Sequence, residues 1–335
     1  MNLSVKNNKL NKKVLVTGAN SLLGTNTILE LLSRGYEVRG MLRSKKSWKA
    51  PLHPQLELFE GLINKPDDVE QALESCHHMV HTAAITNQNL LKLSDYEDIN
   101  INSVSYLAET SIRMNIESMI LVGSANAYGH GSKSNPGNEN SAPVKPFTKS
   151  LYAQSKIEAA KIISDAAEKN TATRFITINP GFMLGPWDSK PSSGKIILMY
   201  KKSRLILCPP GGKSFVHVKD VATAARLAIE KGNNGDSWLI TGNHLTYKEF
   251  FEKLNTMTGQ RKPVVKIPCF LLVFAGITGD LIRALGIKTS VSSANMRILC
   301  EKPFYTNQKI INDLGVTLTT SEQTIRDALE WFENK

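Results

Sequence analysis

Short β-rich runs alternate with amphipathic helical segments over the first 180 residues, and this alternation constrains the fold more than any other feature. The first run, "KVLVTG" (13–18), is followed directly by the helical pattern "LLGTNTILELLSR" (22–34). The later runs are "YEVRGML" (36–42), "LELFEG" (56–61), "HMVHTAA" (78–84), "SMILVGS" (118–124) and "RFITINP" (174–180). Strands that alternate with helices form right-handed βαβ units. The sequence therefore predicts an α/β protein with a doubly wound parallel sheet.

The pattern loosens after Pro180. The stretch "GFMLGPWDSKPSSG" (181–194) is rich in Gly, Pro and Ser and is typical of an ordered loop region. We expect residues 1–180 to form a dinucleotide-binding domain and residues 181–335 to form a smaller, mostly C-terminal domain that caps the substrate cleft.

Composition limits the class of protein. With 41% hydrophobic residues the chain can bury a sizeable core. The net charge is +11, but the lysines are scattered and no nucleic-acid motif is present, so we expect no nucleic-acid partner. The N-terminus, "MNLSVKNNKLNKK", lacks the apolar core of a signal peptide, which favours a cytoplasmic protein.

Cysteines and the longest apolar run give two further expectations. The four cysteines are far apart and form no CxxC pair, which argues against a disulfide framework or a zinc site and fits a reducing compartment. The run "IPCFLLVFAGITG" (267–279) is shorter than the roughly 20 residues that a transmembrane helix needs. We expect no transmembrane segment, and we interpret this run as a buried helix or the wall of an apolar pocket.

The stretch "TGANSLLG" (17–24) joins the first strand to the first helix. Gly18 closes the strand, and Gly24 lies in the first turns of the helix, where a missing side chain permits close packing. A helix N-terminus offers free N–H groups and a positive dipole end to a phosphate. Ser21 stands where a middle glycine is expected. Taken alone, the stretch fits a Rossmann-type dinucleotide fingerprint and an ordinary strand-to-helix turn equally well.

The end of the second strand adds weight to the cofactor interpretation. Its sequence, "GMLRSKKSWK", contains no acid to hold the ribose of NAD. Arg43 could pair with a 2′-phosphate, and Lys46 could add a second charge. We therefore prefer NADP(H), with NAD(H) left open. The alternative is a solvated basic loop.

The motif "YAQSK" places Tyr152 and Lys156 on one face of a strongly helical run. A nearby ammonium favours the phenolate, so we expect it to lower the pKa of the tyrosine. The motif "YTNQK" (305–309) has the same spacing, but only Tyr152 follows a strand that ends in a hydroxyl residue, Ser124. We expect Ser124 to hydrogen-bond a substrate oxygen and Tyr305 to be structural.

Together these elements resemble an extended short-chain dehydrogenase/reductase of the NAD-dependent epimerase/dehydratase superfamily. Within it, the chain looks like the dihydroflavonol-4-reductase-like group, which includes proteins described as hopanoid-associated sugar epimerases. The matching motifs, in order, are "TGANSLLG", "HTAA" (81–84), "ININ" (99–102), "SANAYG" (124–129), "YAQSK", "NPGFMLGPWDSKPSSG" (179–194), "FVHVKDVA" (215–222) and "LGV" (314–316). The resemblance also implies that residues 215–242 return to the first domain.

The resemblance implies roles for individual residues. The catalytic residues would be Ser124, Tyr152, Lys156 and Asn100. Those that bind the cofactor would be Gly18, Ser21, Leu22, Leu23, Gly24, Arg43, Lys46, Leu62, Ile63, Thr82, Ala83, Ala84, Tyr152, Lys156, Pro180, Phe182 and Met183. Substrate would contact Ser124, Asn126 and Trp187.

Two further positions depart from the family pattern. Leu62 stands where the family usually has an aspartate facing the adenine. Ala125 and Asn126 replace the Asp-Glu pair of family dehydratases, so sugar dehydration is not expected.

The hypothesis is therefore an NADPH-dependent reductase of a ketone or aldehyde on a fairly apolar small molecule, reversible as alcohol oxidation. An NAD-dependent nucleotide-sugar epimerase is the alternative within enzymes, and a non-catalytic dinucleotide-sensing protein is the alternative outside them. No metal is expected, because a strand places His77 and His81 roughly 13 Å apart. The sequence leaves a homodimer open.

Overall fold

The computed structural model describes residues 12–334. The N-terminal stretch used above to argue against a signal peptide lies almost entirely outside these residues. Twelve strands are present in the described part: β1 (Lys13–Thr17), β2 (Glu37–Leu42), β3 (Leu56–Glu60), β4 (His78–His81), β5 (Ser118–Val122), β6 (Arg174–Pro180), β7 (Phe182–Leu184), β8 (Ile206–Cys208), β9 (Gly212–His217), β10 (Ser237–Ile240), β11 (Asn243–Thr246) and β12 (Val264–Lys266).

Helices follow most of these strands. They are α1 (Leu22–Ser33), α2 (Pro66–Leu73), α3 (Ser103–Arg113), α4 (Leu151–Lys169), α5 (Lys195–Lys202), α6 (Val218–Lys231), α7 (Tyr247–Thr258), α8 (Cys269–Ala284), α9 (Ser293–Cys300), α10 (Gln308–Leu314) and α11 (Ser321–Glu333). A short turn, Ser94–Tyr96, and a π-helical turn, Glu97–Asn102, lead into α3.

Seven strands form one parallel sheet in the order β10-β6-β5-β4-β1-β2-β3. The order in which the chain adds strands reverses at β1. The strands β2 and β3 lie on one side of β1, and β4, β5, β6 and β10 lie on the other, as in a doubly wound sheet. Alternate residues of β1 point into different cores: Val14 and Val16 pack with α1 and α6, whereas Leu15 packs with α2, α3 and α4. Helices on both faces explain why the strands are almost continuously apolar. The predicted α/β fold with a doubly wound parallel sheet is confirmed.

The C-terminal part adds two smaller sheets, β11-β9-β7 and β12-β8. A separate apolar core, which includes Tyr200, Phe250, Phe251 and Phe332, joins them to α5, α7 and α11. The chain also returns to the large sheet, since β10 pairs in parallel with β6 and α6 packs on α1. Arg226 of α6 fixes that contact through an ion pair with Glu30 at 2.8 Å.

The spacing of the cysteines argues against a disulfide framework, but the structure contains one disulfide. Cys269 at the start of α8 and Cys300 at the end of α9 form a disulfide, with their Cα atoms 5.8 Å apart. The turn between the two helices brings together residues that are 31 positions apart, which spacing alone does not reveal. The argument from cysteines for a reducing compartment therefore no longer holds. Cys76 and Cys208 are free and buried.

The apolar run at 267–279 does form a helix, α8, but the expectation that it is buried or lines a pocket is wrong. Phe270 and Phe274 are 69% and 71% exposed, and Ile277 is 51% exposed. Only Gly276 and Gly279 are buried within the helix, because this is the side that packs on α9. No helix between residues 12 and 334 is both long enough and apolar enough to cross a membrane.

Candidate active site

The site lies where the central strands of the large sheet end. Thr17 of β1 pairs with His81 of β4, His81 pairs with Leu121 of β5, and Leu121 pairs with Thr177 of β6. Because these strands are parallel, the segments that follow them emerge side by side at one edge. Open α/β sheets bind their ligands at this edge, next to the point where the strand order reverses.

The loop after β1 is held in a shape that requires glycine at two positions. Gly18 has φ +68°, and a Cβ there would lie 2.9 Å from the Cα of Ala83. A Cβ on Gly24 would lie only 2.2 Å from the carbonyl oxygen of Gly18. Both contacts bring α1 and the segment after β4 close to the loop. The N-terminus of α1 is consequently presented at the sheet edge, where its dipole favours an anion.

Ser21 replaces the expected middle glycine because it caps α1. Its hydroxyl accepts a hydrogen bond from the amide of Gly24 at 2.9 Å, and its backbone is extended, as in most N-caps. The amides of Leu22 and Leu23 lie in the first turn of α1, where no intrahelical acceptor exists, and within residues 12–334 they make no other hydrogen bond. These two amides are the donors that the loop offers to a phosphate.

The segment after β2 carries the basic residues predicted to recognise a 2′-phosphate. Arg43 and Lys46 are both exposed, and neither has an ion pair or hydrogen bond to another side chain in the described part of the chain. Asn20 in the glycine loop donates to Ser47 at 2.6 Å, which holds this basic segment against the loop. The two charges are therefore near the glycine loop and available to a ligand.

Leu62 and Ile63 follow β3 at the same edge. The amide of Leu62 donates to Asp68 at 2.8 Å, so an acid from α2 lies beside the position where the family aspartate is missing. Ile63 is partly buried and packs on the core beneath α2 and α3. Both residues are partly exposed at this edge of the sheet, next to the segment that carries Arg43.

Ser124 and Tyr152 meet after β5. Ser124 is only 7% exposed and lies at the start of a short helical turn, where its hydroxyl accepts from the amide of Asn126 at 3.2 Å. Tyr152 lies in the first turn of α4, which Ser150 caps through the amide of Ala153. The Ser124 side chain lies near enough to the Tyr152 hydroxyl to favour its ionised form, which lowers the pKa of Tyr152. The structure thus brings the two predicted hydroxyl groups together.

Lys156 is directed to the sheet. It is 6% exposed, and its Nζ donates to the carbonyl oxygen of Val122 at 2.9 Å. Burial lowers the pKa of Lys156 to about 8. Burial also raises the pKa of Tyr152, an effect that Ser124 partly offsets. The expected lowering of the tyrosine pKa is therefore wrong for this structure, because removal of the phenolate from water is the largest effect and Lys156, which donates to Val122, is not among the groups that shift this pKa.

Asn100 lies in the π-helical turn before α3 and is almost completely buried. Its side-chain oxygen accepts from the amide of Ile85 at 2.7 Å, and its Nδ2 donates to the carbonyl of Ile85 and to Ser155, both at 3.0 Å. Ser155 is next to Lys156 on α4. Asn100 therefore fixes the segment after β4 relative to the helix that carries the catalytic pair.

The remaining predicted residues border the same edge. Thr82 donates to the carbonyl of Thr17 at 2.7 Å, and it begins the partly buried segment that continues through Ala83 and Ala84. Pro180 ends β6, and Phe182 and Met183 lie in β7 immediately beyond it, partly exposed.

Trp187 has a different environment. Its ring packs on that of Trp331 in α11 with 4.8 Å between the centroids. This contact gives Trp187 a packing role between the segment after β7 and the last described helix.

Three residues discussed in the sequence analysis, Tyr305, His81 and His217, have buried packing environments in the structure. Tyr305 is 2% exposed, and Lys309 donates to the carbonyl of Ser237 at 2.8 Å on the far edge of the sheet. His81 is buried against Thr17, and burial lowers its pKa to about 3. His217 caps α6 and contacts Asp327 at 3.1 Å. In residues 12–334, no three His, Cys, Asp or Glu side chains are arranged to hold a metal ion.

The sequence analysis overlooked Lys213 in β9. Its Nζ lies 6.0 Å from the ring centroid of Phe147, just before α4, and burial lowers its pKa to about 8. The ring of His130 packs edge-on against the same phenylalanine at 5.4 Å. A lysine at the second position of β9, whose sequence is "GKSFVH", was the only sequence signal for this group. It places a partly buried cation beside the start of α4.

Comparisons with known proteins identify the family and the fold. The model of the NAD dependent epimerase/dehydratase family matches residues 14–241. The chain is 26% identical to a "Putative dihydroflavonol 4-reductase" of Synechocystis over 95% of this chain and 94% of that protein. It is 27% identical to sterol demethylase protein B of Methylococcus capsulatus, over 96% and 98%. The crystal structure of gox2253 superposes with a TM-score of 0.83 at 25% identity, covering 97% and 98%.

Proposed function

The chain belongs to the NAD dependent epimerase/dehydratase family, which uses a nicotinamide dinucleotide, and on that premise we propose that it is an NADPH-dependent carbonyl reductase. Its substrate is a ketone or aldehyde on a fairly apolar small molecule, and the reverse reaction oxidises the alcohol. The observation that carries the proposal is the convergence of Ser124, Tyr152 and Lys156 at the end of β5.

The described residues fit a dinucleotide. Gly18 and Gly24 allow the loop to approach the N-terminus of α1, where the amides of Leu22 and Leu23 face outward. Arg43 follows β2 and offers a planar fork that matches a phosphate. Within the described residues, the segment that follows β2 contains basic side chains and no acid before Glu57. The carboxylate that lies against this segment is that of Glu60 at the end of β3, and it accepts from the amide of Lys45 at 2.8 Å. This supports NADPH over NADH.

Each catalytic residue has a role in carbonyl reduction. A dinucleotide held at the glycine loop would supply the hydride that a carbonyl carbon needs. Tyr152 gives its proton to the carbonyl oxygen, and its raised pKa keeps it protonated at neutral pH, as an acid must be. Ser124 holds the same oxygen through its hydroxyl. Lys156 supplies a buried positive charge beside the site that stabilises negative charge on the tyrosine as its proton leaves.

The proposed apolar substrate is supported by the surface next to the catalytic pair. Phe182 and Met183 extend from the end of β6 and keep part of their surface exposed. Two relatives that match nearly the whole chain are named for a dihydroflavonol and a sterol, both of which are ring systems with little charge.

One observation favours the nucleotide-sugar epimerase as a second candidate. Lys213 provides a cation in the smaller domain, near Phe147 and the start of α4. A nucleotide sugar carries a diphosphate that such a cation would bind. The cofactor distinguishes the candidates, because an epimerase keeps NAD tightly bound through its cycle.

The test is a fluorescence titration of the purified protein with NADPH and NADH, on the wild type and on Arg43→Ala. We expect NADPH to bind at least tenfold more tightly, and we expect Arg43→Ala to weaken NADPH binding without changing NADH binding. A protein that purifies with NAD, or that binds NADH more tightly, is an epimerase rather than a reductase. Lys49→Ala, at another exposed lysine in the same segment, is the control for nonspecific loss of charge.

A further inference from the structure

Helix α8 presents a continuous apolar surface to solvent. The apolar stripe consists of Phe270, Phe274, Ile277, Leu281 and Leu285, which are 69%, 71%, 51%, 66% and 79% exposed. At about 100° per residue, the four of these positions that belong to α8 lie within about 60° of arc around the helix, and Leu285 follows at its C-terminal cap. Leu271 and Ile282, 48% and 38% exposed, widen the same face. Isolated exposed apolar residues are ordinary, but a contiguous stripe of this kind marks an interaction surface.

The stripe belongs to a firmly held helix. On the opposite side, Gly279 and Gly276 approach the segment before α9 so closely that a Cβ on Gly279 would lie 1.9 Å from the carbonyl oxygen of Val291. Asp280 accepts from the amide of Ser293 at 3.1 Å, and the Cys269–Cys300 disulfide closes the pair of helices. The helix therefore cannot rotate to bury its apolar face without breaking these contacts.

Charge around the stripe identifies its partner. Residues 261–302 contain seven Lys or Arg and two Asp or Glu, so this eighth of the chain carries five of the eleven net positive charges. Asp280 accepts from the amide of Ser293, and among the cations Lys262 and Arg283 donate to backbone carbonyls. The other five cations of this segment are exposed. Exposed lysines lie at both ends of the helix, Lys266 before it and Lys288 after it. An apolar helix face flanked by cations is the pattern of helices that lie in the headgroup region of anionic membranes.

We propose that the apolar stripe docks α8 onto the surface of a bilayer that contains anionic phospholipids. The helix has 16 residues, too few to span a bilayer, and lies parallel to the surface with its apolar face among the upper acyl chains. The lysines at its ends contact lipid phosphates. A second copy of the chain fits the stripe less well, because pairing two stripes brings the same positive flanks together.

Docking also orients the candidate active site. Arg283 of α8 donates to the carbonyl of Leu90 at 2.5 Å, and Asn295 of α9 donates to the carbonyl of Gln88 at 3.1 Å. The loop that contains these carbonyls begins at Ile85, which is hydrogen-bonded to Asn100. The docked helix therefore holds a loop of the site close to the bilayer, where an apolar substrate would be dissolved. This consequence rests on the proposed function, whereas the docking does not.

The test is co-sedimentation of the purified full-length protein with vesicles. One set of vesicles is pure phosphatidylcholine, and the other is an equal mixture of phosphatidylcholine and phosphatidylglycerol. We expect binding to the anionic vesicles that is at least tenfold stronger than to the neutral ones and that falls as salt is raised. Leu281→Glu should reduce it at least tenfold. The matched control is Leu52→Glu, at a leucine that is 77% exposed outside the stripe, and it should bind as the wild type does.

A second variant, Lys266→Glu/Lys288→Glu, removes the flanking cations and should abolish the preference for anionic vesicles. NADPH binding, measured on every variant, reports that the proteins are folded and is expected not to change. Equal binding to both kinds of vesicle, no binding, or wild-type binding by Leu281→Glu would each overturn the proposal. A wild-type dimer that Leu281→Glu converts to a monomer, without vesicle binding, would assign the stripe to self-association instead.

Discussion

Lys156 is expected to destabilise the cofactor-free fold while serving the site. Its pKa falls from 10.5 to about 8 on burial, a difference worth about 3 kcal/mol at 1.36 kcal/mol per pKa unit. The hydrogen bond to Val122 returns about 1 kcal/mol. Lys156→Met keeps the length of the side chain and removes the charge. The variant should therefore be more stable than the wild type by about 2 kcal/mol at pH 7 and should have lost its turnover.

The sign of the pH dependence follows from the depressed pKa of a base. Between about pH 8 and 10.5 the unfolded protein binds more protons at this residue than the folded protein, so wild-type stability rises with pH in that window. The extra stability of Lys156→Met relative to the wild type should be fully present below pH 8 and should disappear as the pH approaches 10.5. Urea unfolding at pH 7 and pH 10 measures both values.

The control for this experiment is Lys161→Met, an exposed lysine on the same helix, α4. It makes the same chemical change without altering a buried charge, so its stability should stay within about 0.5 kcal/mol of the wild type at both values of pH. A Lys156→Met variant that is less stable at pH 7, or whose advantage does not depend on pH, would refute the reasoning.

The remaining predictions concern the tyrosines and the disulfide. Tyr152→Phe should lower turnover at least 100-fold with unchanged NADPH affinity, whereas Tyr305→Phe should leave both unchanged; residual turnover in the first variant would show that another group donates the proton. Cys269→Ser/Cys300→Ser should lower the free energy of unfolding by about 3.5 kcal/mol, from the entropy of a loop that spans 31 positions. Dithiothreitol should lower the free energy of unfolding of the wild type by the same amount and leave that of the variant unchanged. An effect on the variant would mean that dithiothreitol acts on something other than the disulfide.

The sheet was predictable because its signals are local. The central strands of the first 180 residues, such as β1 and β5, are short apolar runs that are buried on both faces, and the alternation with helices leaves few topologies open. The ends of parallel strands then place Gly18, Thr82, Ser124 and Pro180 at one edge. Their convergence follows from the topology and needs no knowledge of individual side-chain contacts.

What the sequence did not predict depends on burial and on contacts between distant residues. The apolar run of α8 has the same composition whether its face is covered or open, so its exposure could not be read from the residues. The pKa of Tyr152 depends on how much water the fold excludes, and helical spacing to Lys156 gives only the attraction. Ser21 is explained only by its contact with the Gly24 amide, because serine in a loop is compatible with many turns.

Helix α11 has a consequence for the order in which the molecule can mature. Trp331 packs on Trp187, Asp327 contacts His217, and Phe332 fills the space beside Gly194, all in the segment between β7 and α6. On the ribosome, the large sheet up to β6 can assemble long before residue 332 is made. The smaller domain cannot complete its apolar core until Phe332 has been synthesised. A nascent chain can therefore have the place for its dinucleotide while the side that receives substrate is still incomplete.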